Sequence, residues 1–467
     1  MIYRMFRKIS DVLEHGFYIE TTGPLSPEEL EKVKWLIAET FEPSNTKDEP
    51  HFATSDVVEI GPRLSIETPF SSNAVSICRS IDIPAIVRIE RTHRYQTGKG
   101  YALRECARKD IDRMTEQYYS HGITSFDTGI APEPIRVIDL MGRGKVALEE
   151  INSALGLGMD ARDIEYYHHL FAEGLKRNPT DVELFQLGNA NSEHSRHWYF
   201  KGQIVIDGTP MKRTLMEIVQ HPLICLEEMD RVGLIAFRDN AGAIQGYRTN
   251  LILPLAPGQP SEMTICDKVI HITATAETHN HPTFVAPFPG AQTGAGGRIR
   301  DNTAVGRGGW TGIGVAGYFV GNLFIQGHEI PGEIVGRDKP SKYASPLSIL
   351  IEGSNGVSSY GNQFGEPLTL GFCRTFGQIV DSEWREPRKP ILYSGGIGHL
   401  FDQHLAKETP EVGMKIVRIG GPAYPIGVGG GSASSMMQGE NSEALDFNSV
   451  QRGNAEMENR ANRVIRA

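Results

Sequence analysis

The chain has 467 residues, and 47 Lys and Arg against 57 Asp and Glu give it a formal net charge of −10 at pH 7. At roughly 100–200 residues per domain, this length predicts two to four domains, and 39% hydrophobic with 22% charged residues is typical of a globular protein. The acidic balance without a long Lys/Arg run argues against nucleic acid as a partner, and the lack of roughly 18 consecutive apolar residues argues against a membrane span. Five cysteines without a CxxC pair, and a charged start unlike a signal peptide, favour the cytoplasm.

The front of the chain predicts a mixed α and β domain. A capping box with Pro at the first helical position lies at 26–29 and predicts a helix to about Thr40. The apolar runs 57–60 and 85–89 predict strands. Pro-rich and Gly-rich stretches at 131–134 and 142–145 then indicate a domain boundary.

A helical and polar segment follows, to about residue 200. One apolar stripe at three- and four-residue steps predicts a helix that ends at 178–179; its members are Ile164, Tyr167, His168, Phe171 and Leu175. A second capping box at 180–183 begins another helix. We interpret the segment as a short linker without a core of its own.

Beyond residue 202 the pattern predicts strands separated by glycine turns, at 203–206, 269–272 and 349–351, and finally a charged helix at 454–467. Many of the 51 glycines lie at 290–317 and 420–431. Because glycine lets backbone approach a ligand closely, this part is expected to bind the ligand.

Three clusters could carry chemistry, and the first is Ser-Glu-His-Ser-Arg-His at 192–197. It could supply a general base with a charged partner, and His194 with His197 could share a metal. A solvated helix end is the alternative.

The second cluster, Glu-Thr-His-Asn-His-Pro at 277–282, follows a predicted strand. In extended chain His279 and His281 point to one side and Asn280 to the other. Catalytic groups are commonly placed at such strand ends. A hydrogen-bonded strand terminus and a metal site remain alternatives.

The third cluster, at 290–301, reads as a glycine-rich loop whose N–H groups could hold phosphate oxygens, with Arg298 and Arg300 neutralising their charge. Asp301 is a suitable oxygen ligand for Mg²⁺. The segment is neither a Walker A loop nor a dinucleotide fingerprint, and a flexible turn is the alternative. With a further glycine-rich segment at 420–432, the clusters indicate phosphoryl transfer from a nucleotide to a small molecule.

Four motifs, in this order, resemble phosphoribosylformylglycinamidine synthase in its long single-chain form: Ser-Glu-His-Ser-Arg-His (192–197), Glu-Thr-His-Asn-His-Pro-Thr (277–283), Gly-Ala-Gln-Thr-Gly-Ala-Gly-Gly-Arg-Ile-Arg-Asp (290–301) and Ile-Gly-Val-Gly-Gly-Gly-Ser-Ala-Ser-Ser (426–435). The resemblance implies an α+β fold. It consists of a ferredoxin-like, small-subunit-type N-terminal domain (1–143), a helical linker (144–201), an aminoimidazole-ribonucleotide-synthetase-like α/β nucleotide-binding domain (202–340) and its C-terminal companion domain (341–467), which we expect to be incomplete.

The resemblance also implies a reaction, the ATP-dependent amidation of formylglycinamide ribonucleotide to formylglycinamidine ribonucleotide through an iminophosphate, with Mg²⁺ as cofactor. Ammonia would come from a glutaminase domain. None of the five cysteines lies in the strand-to-helix elbow that a glutaminase nucleophile needs, so we expect that domain to lie outside this chain.

The family's functional residues map onto matching positions. His194 and His279 would be catalytic, and Glu277 and Asp301 would bind Mg²⁺. The nucleotide phosphates would contact Gly290, Ala291, Gln292, Thr293, Gly294, Ala295, Gly296, Gly297, Arg298, Ile299, Arg300 and Asp301. The ribonucleotide would contact Thr278, Asn280, His281, Arg300 and Gln451.

Two positions depart from the family pattern. Many bacterial members have Lys where this chain has Thr275, so another cation must serve. Short-form members have Tyr where this chain has His197, which therefore receives no role. The alternatives are another ATP-dependent enzyme of the same nucleotide-binding superfamily, a zinc metallohydrolase, or an inactive protein that only binds nucleotide.

Overall fold

Two six-stranded sheets organise the computed structural model, one in each of its two units, Met1–Glu133 and Pro134–Ala467. The residues it describes are 1–53, 57–96, 111–129, 131, 133–192, 197–226, 232–334, 343–420, 424, 426–435 and 443–466. Within these residues, no helix has both the length and the apolar character needed to cross a membrane.

The first unit packs two helices against an antiparallel sheet of order β3-β1-β2-β5-β4-β6. Its elements are β1 (Ile2–Lys8), β2 (Leu13–Thr21), α1 (Pro27–Ile37), β3 (Thr46–Lys47), β4 (Val57–Pro62), α2 (Pro69–Ser80), β5 (Ile86–Gln96) and β6 (Glu116–Tyr119). The predicted capping box is present, since Ser26 and Glu29 each accept the other's backbone N–H, although α1 ends at Ile37 rather than Thr40. Ile19, Val33 and Ile89 lie in the core between helices and sheet.

The second unit begins with short helices that have their own core, contrary to the prediction of a coreless linker. They are α3 (Leu140–Arg143), α4 (Lys145–Leu155), α5 (Ala161–His169), a π-helical turn (Leu170–Leu175) and α6 (Asp181–Ala190). Leu140, Leu148, Phe171 and Leu184 are buried together in this core. The apolar periodicity of the sequence predicts the buried face of one helix. It does not show which residues of the other helices pack against that face.

The sheet of the second unit has the order β13-β12-β16-β11-β10-β9, and β12 with β13 is the parallel pair. After α7 (Trp198–Lys201), its elements are β7 (Val205–Ile206), β8 (Thr209–Pro210), α8 (Leu215–Cys225), β9 (Gly233–Ile235), β10 (Gly242–Pro254), β11 (Met263–Thr278), α9 (Asn280–Val285), α10 (Pro287–Ala304), β12 (Trp310–Val320), α11 (Pro346–Phe364), β13 (Leu368–Thr375), β14 (Gln378–Val380), β15 (Glu383–Arg385), β16 (Ile391–Phe401), α12 (Gly430–Ser435), α13 (Glu443–Ser449) and α14 (Ala455–Arg466).

The strand predicted at 349–351 is wrong, because these residues lie inside α11. Ser345 caps this helix, and its buried positions Ile349, Gly353 and Tyr360 recur with the spacing of a helix. A run of three apolar residues cannot by itself distinguish a strand from a buried helix.

The loop predicted at 290–301 is also wrong, since these residues form most of α10. Their glycines permit close helix packing: a Cβ at Gly290 would lie 2.4 Å from the carbonyl of Pro282, and one at Gly296 would lie 2.7 Å from the ring of Tyr360. Glycine is common in turns, but in α10 its lack of a side chain allows neighbouring groups to approach the helix closely.

Gly290→Ala is expected to destabilise the second unit by about 1–3 kcal/mol, because its methyl group would meet rigid backbone. The matched control is Gly297→Ala in the same helix, where a Cβ comes no closer than 3.6 Å to a neighbour. The control should be neutral or stabilising by up to about 1 kcal/mol, since alanine favours helix. Urea unfolding of both variants tests this, and equal destabilisation would contradict the packing role of Gly290.

Candidate functional site

A cavity of about 360 Å³ opens in the second unit where β11 meets α9 and α10. Its walls are Asn189, Glu277, Thr278, His279, Asn280, His281, Pro282, Thr293, Gly297, Arg300, Lys389, Gly427, Gly430, Gly431, Ser434, Ser449 and Gln451. The cavity thus combines the second sequence cluster, one face of α10 and the glycine-rich segment near residue 430.

A strand-to-helix turn places the second cluster. β11 ends at Thr278 and α9 begins at Asn280, so the extended chain predicted through His281 is wrong. The backbone N–H of His279 donates to the Leu392 carbonyl at 3.3 Å, and the Leu392 N–H donates to Oδ1 of Asn280 at 3.0 Å. These two bonds fix the turn against the start of β16.

His279 lies in the wall of the cavity, and its side chain is 11% exposed. Its ring lies over Gly294, where a Cβ would come 2.8 Å from the ring carbon Cδ2. The ring nitrogen Nε2 is 3.9 Å from Oε1 of Glu277. Glycine at position 294 therefore makes room for an imidazole close to a carboxylate.

The His281 imidazole lies next to a different carboxylate, that of Asp446. Nε2 of His281 lies 3.5 Å from Oδ1 of Asp446, and Oδ2 of Asp446 accepts a hydrogen bond from the Tyr343 hydroxyl at 3.0 Å. Asp446 is 1% exposed. The arrangement is suited to orienting the His281 ring toward the cavity.

The predicted metal ligands Glu277 and Asp301 are neighbours, and Glu277 lines the cavity. Burial first, and then the neighbouring Asp301 carboxylate, raise the pKa of Glu277 to about 7. The side-chain amide of Asn240 donates to Oδ1 of Asp301 at 3.1 Å. Among the described residues no group of three His, Cys, Asp or Glu side chains could hold a metal. Two adjacent carboxylates nevertheless fit Mg²⁺, which is commonly held by one or two carboxylates together with water and phosphate oxygens.

Arg298 does not reach the cavity, contrary to its predicted contact with phosphate. Its guanidinium forms a bidentate pair with the Glu366 carboxylate, with 2.7 Å between Nη1 and Oε1. Both side chains are buried, at 3% and 2% exposure. The cation of α10 that does line the cavity is Arg300, whose Nη1 lies 3.3 Å from Oε2 of Glu458.

The structure thus brings together only part of the predicted set. The predicted residues in the cavity wall are Glu277, Thr278, His279, Asn280, His281, Thr293, Gly297, Arg300 and Gln451. Asp301 lies beside the wall through its contact with Glu277. The remaining residues predicted to bind nucleotide, which are Gly290, Ala291, Gln292, Gly294, Ala295, Gly296, Arg298 and Ile299, do not line it. His194 lies outside the described residues, and His197 is exposed at the start of α7.

Sequence reasoning missed three polar residues of the wall, Asn189, Lys389 and Ser449. Asn189 comes three residues before the first cluster, so proximity was a usable signal. Lys389 and Ser449 are single polar residues without a motif of their own.

Two family profiles match the chain. Residues 14–124 match the formylglycinamide ribonucleotide amidotransferase N-terminal profile, and residues 148–197 match the linker domain of the same protein.

Full-length relatives extend the similarity to nearly the whole chain. A protein named probable phosphoribosylformylglycinamidine synthase, chloroplastic/mitochondrial, from Arabidopsis thaliana is 46% identical over 472 residues, which covers 98% of this chain and 33% of the relative. The phosphoribosylformylglycinamidine synthase of Homo sapiens is 44% identical over 453 residues, covering 95% of this chain and 34% of the relative. The chain spans about a third of the length of these curated relatives.

Solved structures give a weaker likeness. The structure titled T. maritima PurL complexed with FGAR has a TM-score of 0.37 at 21% identity, covering 64% of this chain and 36% of that one. The sequence relationship is the decisive finding: the chain belongs to the phosphoribosylformylglycinamidine synthase family, also described as formylglycinamide ribonucleotide amidotransferase.

Proposed function

We propose that the cavity of the second unit takes part in the ATP-dependent amidation of formylglycinamide ribonucleotide. ATP transfers its γ-phosphoryl group to the glycinamide carbonyl oxygen and leaves as ADP. Ammonia then attacks the carbon of the resulting iminophosphate and loses a proton, and phosphate leaves to give formylglycinamidine ribonucleotide. The observation that carries the proposal is that Glu277, His279 and Arg300 line one cavity, with the Asp301 carboxylate next to that of Glu277. The names of the relatives supply the choice of substrate.

Each of these groups has a task in this reaction. The Glu277 and Asp301 carboxylates would hold Mg²⁺, and the bound ion would neutralise charge on the transferring phosphoryl group. Arg300, which lines the same cavity, binds a phosphate oxygen. His279 accepts the proton that the attacking ammonia loses, because its ring faces the same cavity. His194 acts at the same reacting centre.

The helical nature of α10 narrows the set of nucleotide contacts. N–H groups inside a helix already donate to the helix's own carbonyls, so they are not available to phosphate as those of a loop are. We therefore assign the direct contacts to the side chains of Thr293 and Arg300, while Gly297 lines the cavity without a side chain and Asp301 would serve as a Mg²⁺ ligand.

The domains of the chain follow the order of the long single-chain form of the family. The first unit corresponds to the ferredoxin-like, small-subunit-type domain (1–143), followed by the linker (144–201) and the synthetase-like domains (202–340 and 341–467). A glutaminase domain delivers the ammonia, and the site of action is the cytoplasm.

The direct test gives the purified 467-residue chain Mg-ATP, formylglycinamide ribonucleotide and ammonium, and measures formylglycinamidine ribonucleotide by mass spectrometry. Binding of both substrates is expected, and product formation would show in addition that the synthetase-like part of this chain is sufficient for turnover. In the complete enzyme, His194→Ala should reduce turnover while leaving the nucleotide affinity near normal. If no product forms, calorimetry with each substrate decides whether the cavity binds them. The absence of both product and substrate binding would refute the proposed function for this chain.

A further inference from the structure

Lys389 is a cation of the cavity wall with no task in the reaction described above. Lys389 lies between the hairpin β14–β15 and the central strand β16, and it lines the same cavity as His279 and Arg300. Within the part of the chain that the structure describes, its ammonium has neither a hydrogen bond nor an ion pair. Arg300, by contrast, is already paired with Glu458.

The Lys389 side chain is half-buried, and this burial lowers the pKa of its ammonium. No carboxylate contributes to the shift, so the loss of hydration is not compensated by a negative neighbour. A partly desolvated ammonium without a counter-ion is unfavourable, and a ligand anion in the cavity would relieve this cost.

The backbone holds Lys389 in a fixed place relative to the proposed catalytic turn. Pro390 is buried and restricts the residue before it to extended conformations. Three residues after Lys389, Leu392 makes the two hydrogen bonds that join β16 to His279 and Asn280. The ammonium therefore projects from a segment tied directly to the strand-to-helix turn.

We propose that Lys389 is the phosphate-binding cation of this cavity, with its ammonium donating to a phosphate oxygen of a bound substrate. This inference rests on the proposed function, which supplies two phosphate sources, the 5′-phosphate of the ribonucleotide and the phosphate chain of ATP. Lys389 positions the phosphate group and takes no part in proton transfer.

Isothermal titration calorimetry on the 467-residue chain tests the proposal with three variants. Lys389→Met removes the charge at similar length, and Lys389→Arg keeps the charge. Lys415→Met is the matched control, because Lys415 lies in an exposed segment away from the cavity wall. The probes are formylglycinamide ribonucleotide, its dephosphorylated ribonucleoside, Mg-ATP and inorganic pyrophosphate.

Lys389→Met is expected to weaken binding of one phosphorylated probe by roughly 10- to 100-fold, the range for one charge-assisted hydrogen bond. Lys389→Arg should recover much of the affinity, and Lys415→Met should change nothing. Weaker ribonucleotide binding with unchanged ribonucleoside binding identifies the 5′-phosphate as the ligand. Weaker Mg-ATP binding alone identifies the nucleotide.

Failure of the inference can be distinguished from failure of the proposed function. Unchanged affinity of Lys389→Met for every phosphorylated probe overturns the role of Lys389 while leaving the function in place. If the wild-type chain binds neither substrate but binds pyrophosphate in a Lys389-dependent way, the phosphate site stands and the proposed function fails. If it binds no phosphorylated probe at all, both are overturned.

Discussion

Glu277→Gln is expected to abolish Mg²⁺-dependent product formation while making the metal-free protein more stable above pH 7. Glu277 and Asp301 are adjacent carboxylates, so both cannot be ionised without repulsion unless a cation lies between them. The amide is neutral, which removes the repulsion but also removes a ligand for the cation. We expect a loss of turnover on the order of 100-fold or more.

The stability of the metal-free protein is expected to fall as the pH rises. Burial and then Asp301 raise the pKa of Glu277 from an ordinary value of 4.5 to about 7 in the folded protein. The stabilisation from this proton is fully present below about pH 4.5 and is lost as the pH rises to about 7. Metal-free wild-type protein should therefore lose thermal stability across this interval, and Glu277→Gln should lack that part of the decline.

Thermal melts between pH 4.5 and 8 in the presence of a chelator measure the change in stability with pH. The product assay measures the loss of turnover. Glu262→Gln is the matched control, because Glu262 is an exposed residue just before the same strand. It should follow the wild type in both measurements. Parallel pH profiles for wild type and Glu277→Gln would contradict the repulsion, and retained activity would exclude Glu277 as a ligand.

The features that the sequence predicted well are those determined by neighbouring residues. The capping boxes at Ser26 and Thr180 depend on side chains three positions apart, and both helices begin where expected. The strand around 269–272 and the terminal helix were recognised for the same reason. Local hydrogen bonding and periodicity were sufficient in each case.

The errors concern contacts between residues that are distant in sequence. Gly290 is a glycine because Pro282 lies against it, and Arg298 is buried because Glu366 reaches it across 68 positions. The glycine-rich pattern and the family motif at 290–301 predicted a loop at Gly290 and a phosphate contact for Arg298. Lys389 was missed because its placement depends on the bonds of Leu392 to the turn, which no motif records.

The candidate site was predicted in outline because its residues are concentrated in short motifs. Glu277 to His281 reach the cavity together since they surround a single strand-to-helix turn. In α10, however, alternate sides of one helix have different neighbours, so Thr293, Gly297 and Arg300 reach the cavity while Arg298 points into the sheet. A loop prediction for this segment does not distinguish the residues that face the cavity from those that face the sheet.

Breaking the Arg298–Glu366 pair is the change expected to cost the most stability. The two side chains lie in a slot over the sheet, where Gly314 and Gly396 leave space: a Cβ at Gly396 would come 2.3 Å from Nη1 of Arg298. Arg298→Met would leave the Glu366 carboxylate buried without a partner. We expect a loss of about 3–5 kcal/mol in the free energy of unfolding of the second unit.

The double variant separates the cost of an unpaired charge from the contribution of the pair itself. Arg298→Met with Glu366→Leu removes both charges and keeps similar volume, so most of the lost stability should return. Arg248→Met is the control, because Arg248 pairs with Asp267 at 2.7 Å on the exposed side of β10 and β11. It should cost at most about 1 kcal/mol.

Hydrogen exchange of peptides from β16 measures these differences within the second unit. If Arg298→Met costs no more than the control, the pair does not hold α10 to the sheet. If the double variant is instead as unstable as the single one, the guanidinium contributes through packing and not by neutralising Glu366. Recovery of stability together with unchanged nucleotide affinity would establish that Arg298 neutralises Glu366 and makes no contact with the nucleotide.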